Sequence, residues 1–332
     1  FCHPYLSTKI KNLNSKKKYR QENLPLCIDV FGQSGDFITS PEISQMFGEL
    51  IGVWFLNEWM KNRQSPVQLV ELGPGRGTLA DDILRVGKNN KDLSLHLVEV
   101  SPALAQIQYN AISTDNQRKP YYTCTTKYGP TVSWYKSLPE VPVEYSFFVA
   151  HEFFDALPIC KFQKTADKGW CEVMVDINPD KDSPNQFRFV LSPGSTPNST
   201  GYLKVSFHTN YLQRLEKSPF SGVLILQIAE RIKQKGGLAL IADYGHFGEK
   251  TDTLRGFKNH KLHDVLCDPG TADITADVDF SFFRYLCLSV KEGIFQSRSL
   301  KLHRKIAHVL KLCTCYYGIV PGFFHKYTDM RT

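Results

Sequence analysis

Residues 67–84 read Val-Gln-Leu-Val-Glu-Leu-Gly-Pro-Gly-Arg-Gly-Thr-Leu-Ala-Asp-Asp-Ile-Leu, and this stretch decides the fold. An apolar run of strand length leads into Gly73, Gly75 and Gly77, and apolar residues at helical spacing follow. The pattern predicts a buried strand, a tight turn and a helix capped by Thr78. Glycines let the backbone of such a turn approach a ligand closely, and the helix start attracts a carboxylate or phosphate.

The spacing of the glycines favours one class of ligand over two others. A phosphate-binding P-loop needs a Lys before its Ser or Thr, whereas Gly77 directly precedes Thr78. The dinucleotide fingerprint Gly-x-Gly-x-x-Gly places its third glycine one residue later than here. From Glu71 the stretch reads acid-x-Gly-x-Gly-x-Gly, which resembles the first motif of class I S-adenosylmethionine-dependent methyltransferases. A glycine turn that binds nothing is the alternative.

The composition is that of a globular protein with a modest positive charge. The chain has 332 residues, a net charge of +7 and 42% hydrophobic residues, enough for a large core. Much of the positive excess lies near the two ends, so a nucleic-acid groove is not indicated. The nine cysteines show no metal-type spacing, which indicates free thiols in a reducing compartment. No apolar run reaches the ~18 residues typical of a membrane span.

An acidic residue ends the second predicted strand. Residues 93–100 form an apolar, alternating stretch that ends near Glu99, and Ser101-Pro102 then starts another helix. Rossmann-like folds hold a ribose with an acid about 20 residues beyond the glycine turn. Glu99 is therefore expected to accept hydrogen bonds from a cis-diol. The alternative is an acid that stabilises the start of the next helix.

Residues 145–150 predict another buried strand, and His151-Glu-Phe-Phe-Asp-Ala-Leu-Pro follows it directly. Ligands of open parallel sheets bind beyond the carboxyl ends of the strands, so chemistry is expected here. Glu152 and Asp155 share a face if this segment is helical. The alternative is that both acids cap a helix start.

The remaining patterns complete a doubly wound α/β sheet. A helix is predicted from about residue 40 to 60, with Ser40 as its cap and Leu50 among its inward residues. Strands at 170–177 and 186–191 predict an inserted antiparallel β-element, and a helix at 222–235 precedes a strand at 238–244. Residues 245–280 are expected to form a long loop. Its His and Asp residues match no metal motif, so no metal is expected.

Four stretches together resemble the MidA-like family, which comprises mitochondrial complex I assembly methyltransferases and their bacterial relatives. They are residues 35–44, 71–78, 151–158 and 269–280. The resemblance covers about residues 32–286, whereas residues 1–31 and 287–332 depart from the family pattern. In the family, a strand that completes the sheet follows about residue 286, and residues 287–332 show no such pattern. Loss of this strand would expose a sheet edge, which would lower the stability of the chain and hence its activity.

The resemblance implies a Rossmann-like class I methyltransferase fold with an inserted β-element and an N-terminal helical segment. It implies S-adenosyl-L-methionine as cofactor, and a protein arginine methyltransferase of the mitochondrial matrix. The implied product is symmetric dimethylarginine on a core subunit of NADH:ubiquinone oxidoreductase. The charge distribution separately predicts no nucleic-acid partner. The expected organisation is a basic arm at 1–34, core segments at 35–158 and 216–286, the inserted β-element at 159–215 and an atypical tail at 287–332.

The expected site residues fall into two groups. An arginine guanidinium is a poor nucleophile, and carboxylates can fix its plane and polarise it, so Glu152 and Asp155 are expected to be catalytic. His151 is expected to take the released proton. The expected cofactor-binding residues are Glu71, Gly73, Gly75, Gly77, Thr78, Glu99, Asp36, Thr39 and Ser40. Two alternatives to the methyltransferase function stay open. One is a nicotinamide-dependent oxidoreductase, and the other is a non-catalytic assembly factor with a relic cofactor pocket.

Overall fold

The computed structural model describes residues 39–62, 66–114, 123–180, 183, 185–203 and 212–292. The predicted basic arm, Asp36 and the part of the predicted tail beyond residue 292 lie outside the described residues.

Strands and helices alternate along the chain as the sequence predicts. The strands are β1 Val67–Leu72, β2 Leu93–Val98, β3 Cys124–Thr125, β4 Thr131–Tyr135, β5 Ser146–His151, β6 Cys160–Thr165, β7 Gly169–Ile177, β8 Phe187–Leu191, β9 Arg214–Lys217, β10 Gly237–Ala242, β11 Gly245–His246, β12 Arg255–Lys258, β13 Lys261–His263, β14 Asp273–Thr275 and β15 Val278–Asp279. The helices are α1 Ser40–Ile43, α2 Gln45–Asn62, α3 Thr78–Val86, α4 Pro102–Ile112, α5 Pro197–Leu203, α6 Pro219–Lys235 and α7 Phe280–Glu292.

The central sheet has the strand order β10-β5-β1-β2-β4-β3. Strand β1 lies in the middle and pairs in parallel with β2 on one side and β5 on the other. All six of its residues are buried, because helices cover both faces of a parallel sheet. Within the described ranges β10 forms one edge of this sheet. The carboxyl ends of β1, β2, β5 and β10 therefore meet along one side, where the predicted site residues follow them.

Helices cover the central sheet on both faces. One core layer combines residues of α2, α3 and α4 with one face of the sheet. The other combines residues of α6 and α7 with the opposite face. This arrangement confirms the predicted doubly wound α/β architecture with an N-terminal helical segment.

The first helical segment differs in detail from its prediction. Thr39, not Ser40, is the N-cap, and the helix is interrupted at Ser44 before α2 begins. The prediction that Leu50 points inward is wrong, since this side chain is 61% exposed. Helix α2 approaches α3 through small residues instead: a Cβ added at Gly48 would lie 2.5 Å from the Cβ of Asp82. The face of α2 that packs against α3 is therefore the one whose glycine lets the two helices come closest.

The inserted β-element is an antiparallel sheet with the order β8-β7-β6-β9, placed between β5 and α6. Its strands β7 and β8 lie within one residue of the predicted strands. The region 245–280, predicted as a long loop, instead contains β11 to β15. Helix α7 continues past the predicted boundary at residue 286, and Cys287 and Val290 are buried in the second core layer.

Candidate functional site

The glycine turn after β1 has the backbone that the sequence predicts. Gly73, Gly75 and Gly77 have φ angles of +64°, +54° and +84°, values that residues with a side chain rarely adopt. A Cβ at Gly73 would lie 2.5 Å from the ring of Phe153, so the turn after β5 packs directly on the glycine turn. Gly77 is the N-cap of α3, and the prediction that Thr78 caps this helix is wrong. Thr78 is the first helical residue and lines the cleft.

Glu71 places a carboxyl group beneath the glycine turn. It is 3% exposed, and its Oε2 atom has no hydrogen-bond partner among the described residues. Burial, followed by the charge of Glu99, raises the pKa of Glu71 to about 8. A buried acceptor without a partner is costly in a folded protein, so a donor on a bound ligand would stabilise it.

Glu99 occupies the predicted position after β2, but its environment is more crowded than the sequence suggests. Its Oε1 accepts a hydrogen bond from the Ser101 N–H at 2.7 Å, and its Oε2 accepts one from Gln108 Nε2 at 3.2 Å. The residue is 2% exposed and is not among those that line the cleft. The contact to Ser101 matches the alternative of an acid at a helix start. A carboxylate can accept further hydrogen bonds, so the ribose role stays a prediction.

Gln108 is a residue of this site that the sequence analysis missed. It is fully buried, and its Nε2 also donates to the carbonyl oxygen of Gly75 at 2.7 Å. Its Oε1 accepts from Trp134 Nε1 at 3.0 Å. Gln108 therefore ties α4 and β4 to the glycine turn. Only its place on a helix after Glu99 could have pointed to it.

A cleft opens between the glycine turn, the start of α1 and the segment after β5. Its free space, including the part open to solvent, is about 690 Å³. The lining residues are Thr39, Pro41, Glu42, Glu71, Gly73, Pro74, Gly75, Arg76, Thr78, Leu79, His151, Glu152, Phe153, Ala156 and Leu157. Ser40 is not among them, and Asp36 lies outside the described residues. The cleft brings together most of the predicted cofactor residues and two of the three predicted catalytic ones.

The segment after β5 is a turn rather than a helix, so the expected shared helical face of Glu152 and Asp155 is wrong. Glu152 lines the cleft with a φ of +47°, a strained value for a residue with a long side chain. Burial, followed by the charges of Asp155 and Glu42, raises the pKa of Glu152 to about 7. Asp155 is not among the residues that line the cleft, and its Oδ2 accepts a hydrogen bond from Thr275 Oγ1 at 2.7 Å.

The pKa of His151 differs from the value near neutrality that the sequence analysis expects. Its Nε2 lies 3.6 Å from Glu152 Oε1, and its ring packs on Phe47 with the centroids 5.1 Å apart. Burial lowers the pKa of His151 to about 4, so the imidazole is neutral and weakly basic near pH 7. The expectation that it titrates near neutrality is wrong because the side chain is removed from water.

Comparison with known families agrees with the cleft and its glycine turn. Residues 50–291 match the model of a family described as putative S-adenosyl-L-methionine-dependent methyltransferases. The chain belongs to this family. The match supports the predicted cofactor, S-adenosyl-L-methionine, and argues against the nicotinamide-dependent alternative.

Curated relatives share about half of their aligned residues with the chain. Among those that carry the name protein arginine methyltransferase NDUFAF7, mitochondrial, or that of its homolog, are the rat, human and Drosophila melanogaster proteins. The rat protein is 53% identical over 270 residues, 77% of this chain and 60% of the relative. The human protein is 52% identical over 272 residues, with the same coverage, and the Drosophila melanogaster homolog is 46% identical over 306 residues, 85% of this chain and 69% of the relative. The chain thus spans about 60% of the length of the mammalian relatives.

A solved structure supports the fold. The crystal structure of a Burkholderia thailandensis protein bound to S-adenosyl-homocysteine superimposes with a TM-score of 0.60. It covers 85% of this chain and 77% of the other, at 18% sequence identity. At this identity the likeness shows a shared fold alone.

The described residues fit the implied cofactor. Gly73 and Gly75, both at positive φ, contribute only backbone to the cleft, and Glu71, whose Oε2 atom has no hydrogen-bond partner among the described residues, also lines it. Among the described residues, no three His, Cys, Asp or Glu side chains come together as metal ligands. In the same part of the chain, every helix is too short or too polar to cross a membrane.

Proposed function

We propose that the chain is an S-adenosyl-L-methionine-dependent protein arginine N-methyltransferase. The observation that carries the proposal is the position of Glu152, a carboxyl group in a cleft that the glycine turn also lines. The names of the relatives that are 46–53% identical support the assignment of arginine as the acceptor.

The cofactor-binding role falls to residues at the base of the cleft. Glu71 would accept a hydrogen bond from a donor of the cofactor, Gly73 and Gly75 would let the cofactor approach the backbone, and Thr39 at the start of α1 would also contact it. Glu99, which follows β2, would accept hydrogen bonds from the ribose hydroxyls. When bound, S-adenosyl-L-methionine supplies a methyl group that its sulfonium charge already activates.

Glu152 would bind and orient the acceptor. A guanidinium is always protonated and spreads its lone pairs over three nitrogens, so it reacts poorly by itself. A carboxylate that accepts two of its N–H groups fixes its plane and favours reaction at one nitrogen. Because the pKa of Glu152 is raised to about 7, this group also suits proton acceptance near neutrality. Glu152 therefore takes over the role that the sequence analysis gave to His151.

We also propose a substrate and a compartment. The four family-like stretches support a core subunit of NADH:ubiquinone oxidoreductase as the protein substrate, with symmetric dimethylarginine as the product. The word mitochondrial in the relatives' names supports the mitochondrion, and we propose its matrix as the site of action.

The test is methyl transfer from radiolabelled cofactor to proteins of a mitochondrial lysate, followed by mass spectrometry of the labelled product. The proposal expects label on arginine of a complex I subunit, and release as symmetric dimethylarginine after hydrolysis. Cofactor binding by calorimetry without transfer to any protein would support the non-catalytic assembly factor instead. Label on another residue type would contradict arginine as the acceptor.

A further inference from the structure

An apolar stripe lies on the solvent side of α1 and α2. Its members are large apolar side chains that are 53–67% exposed, and together they are called the outer stripe: Ile43, Met46, Leu50, Val53 and Met60. Along α2 they follow one another at intervals of four, three and seven residues, so they share one face of the helix. At about 1.5 Å of rise per residue, the part on α2 is about 21 Å long. Neighbouring exposed apolar side chains on one face indicate an interaction surface.

The outer stripe is held toward solvent because the opposite face of α2 is packed. Gly48 and Gly52 lie on that face, and a Cβ added at Gly52 would be 3.1 Å from the Cβ of Val86 on α3. The ring of Phe47 packs on His151, which lines the cleft, with the centroids 5.1 Å apart. Helix α2 is therefore fixed against both α3 and the cleft, and it cannot rotate to bury the outer stripe.

The outer stripe begins at the cleft. Its first member, Ile43, directly follows Glu42, which lines the cleft together with Thr39 and Pro41. The Oε2 atom of Glu42 accepts a long hydrogen bond of 3.5 Å from the N–H of Thr39. Glu42 thus places a carboxyl group where the exposed apolar surface meets the cleft. A guanidinium that enters the cleft from this side is the charge complement of that group.

We propose that the outer stripe docks the acceptor protein, an apolar segment of which packs along α2 while its arginine passes Glu42 into the cleft. This inference rests on the proposed function. Two features favour an acceptor protein over a second copy of the chain. The outer stripe offers five apolar residues, whereas a stable interface takes about 20–30 residues a side, so it suits a partner that leaves after each turnover. The carboxyl group at its cleft end matches a cationic acceptor.

The chemistry of the outer stripe suits a protein rather than a free arginine. A guanidinium carries five N–H donors and little apolar surface, so contacts outside the cleft must select the protein that presents it. Binding energy gained away from the reacting atoms can be used to orient the group that reacts. Met46 and Met60 are unbranched and flexible, and such side chains adapt to the shape of a partner.

The test compares wild type with Leu50→Glu on two acceptors. One is the purified complex I core subunit that takes label in the lysate experiment, and the other is a peptide around the same arginine that is too short to extend along α2. The charge lies in the middle of the outer stripe, so kcat/KM for the intact subunit should fall by at least about tenfold. For the peptide, kcat/KM should stay within about threefold of wild type, as should the affinity for S-adenosyl-homocysteine.

Leu262→Glu is the matched control. Leu262 lies on β13, outside the outer stripe, and is 75% exposed, so the same substitution there should leave all three values unchanged. Wild-type transfer to the intact subunit by Leu50→Glu would contradict the docking role. An equal loss on subunit and peptide would also contradict it, because Leu50 would then support the cleft itself.

Two further measurements detect other occupants of the outer stripe. If light scattering showed that wild type is a dimer and Leu50→Glu a monomer, the outer stripe would be an interface between copies, and the proposal would be wrong. Because Leu50 is exposed, Leu50→Glu should melt within about 2 °C of wild type. A melting temperature lower by about 5 °C or more would show that the chain itself covers the outer stripe, which would also refute the proposal.

Binding separates this inference from the proposed function. If wild type methylates neither acceptor, the proposed function fails, and calorimetry against the purified core subunits of complex I then tests the outer stripe. One subunit should bind wild type and Leu262→Glu equally, and its dissociation constant should rise by at least about tenfold with Leu50→Glu. Equal binding to all three proteins, or no binding to wild type, would overturn the docking of this acceptor.

Discussion

Gln108 donates a hydrogen bond from Nε2 to the carbonyl oxygen of Gly75 across 2.7 Å, and so joins α4 to the middle of the glycine turn. The same amide group contacts Glu99 and Trp134. Because Gln108 is fully buried, water cannot replace these contacts. One side chain therefore links the glycine turn to the acid after β2.

We expect Gln108→Leu to weaken both the fold and cofactor binding. The substitution leaves the buried Trp134 N–H without this partner, which costs about 1–3 kcal/mol, and it removes the hydrogen bond to the partly buried Gly75 carbonyl. The dissociation constant of S-adenosyl-homocysteine should rise by about tenfold as the turn loosens. Calorimetry and thermal unfolding measure the two effects. Gln106→Leu, an exposed position on the same helix, is the control, and equal behaviour of the two variants would contradict the account.

Gly73→Ala should prevent cofactor binding in a protein that still folds. The added Cβ would lie 2.5 Å from the Phe153 ring, at a φ of +64° that alanine disfavours, so the turn must move. Gly75→Val should have the same effect, because a β-branched side chain resists the φ of +54°. Gly201→Ala, where the added Cβ meets nothing within 4 Å, is the control. Unchanged affinity in folded Gly73→Ala and Gly75→Val would show that the turn does not bind the cofactor.

Glu71 should make the protein less stable as pH rises. Its pKa is raised from 4.5 to about 8, so between these values the folded state holds a proton that the unfolded state has lost. Stability then falls by up to about 1.4 kcal/mol per pH unit across this window. Glu71→Gln removes this term, so its melting temperature should decline less than that of wild type between about pH 5 and pH 8. If the melting temperatures of the two proteins declined equally with pH, the Glu71 carboxyl group would have to be more exposed to water than the structure shows.

The local patterns of the sequence predicted the frame of the molecule well. Buried strand β1, the three glycines and Glu99 all depend on residues close together in the chain, and periodicity reports such order directly. Thr78 and Ser40 were each placed one position away from the true N-cap, since several adjacent residues there can cap. Leu50 was misplaced because apolar spacing does not reveal that small residues form the packing face of α2.

The missing parts of the site depend on distant partners. Gln108 acts on a residue 33 positions earlier, and Asp243 binds backbone groups about 90 positions earlier. No local pattern marks either residue. The lowered pKa of His151 and the raised pKa of Glu152 follow from burial in the folded chain, which residue type alone does not reveal. The predicted shared helical face of Glu152 and Asp155 is wrong because residue type and spacing do not reveal that the segment after β5 is a turn.

Glu152 should give methyl transfer a pH dependence near neutrality. If the carboxylate form binds the guanidinium and accepts its proton, turnover should rise with pH through about 7, where Glu152 ionises. The rising limb should disappear in Glu152→Gln. A wild-type rate that is flat between about pH 6 and pH 8 would mean that Glu152 does not titrate during the reaction.

The most direct test of the account is single-turnover methyl transfer by Glu152→Gln to a purified complex I subunit, with cofactor affinity measured on the same protein. The substitution keeps the size of the side chain and removes its charge, so the rate should fall by about a hundredfold or more while cofactor affinity stays within about threefold of wild type. Glu230→Gln, at a partly exposed glutamate on α6 outside the cleft, should behave as wild type. Wild-type turnover in Glu152→Gln would contradict the central role of this carboxylate, and a loss of cofactor affinity in step with the rate would place it in the cofactor pocket instead.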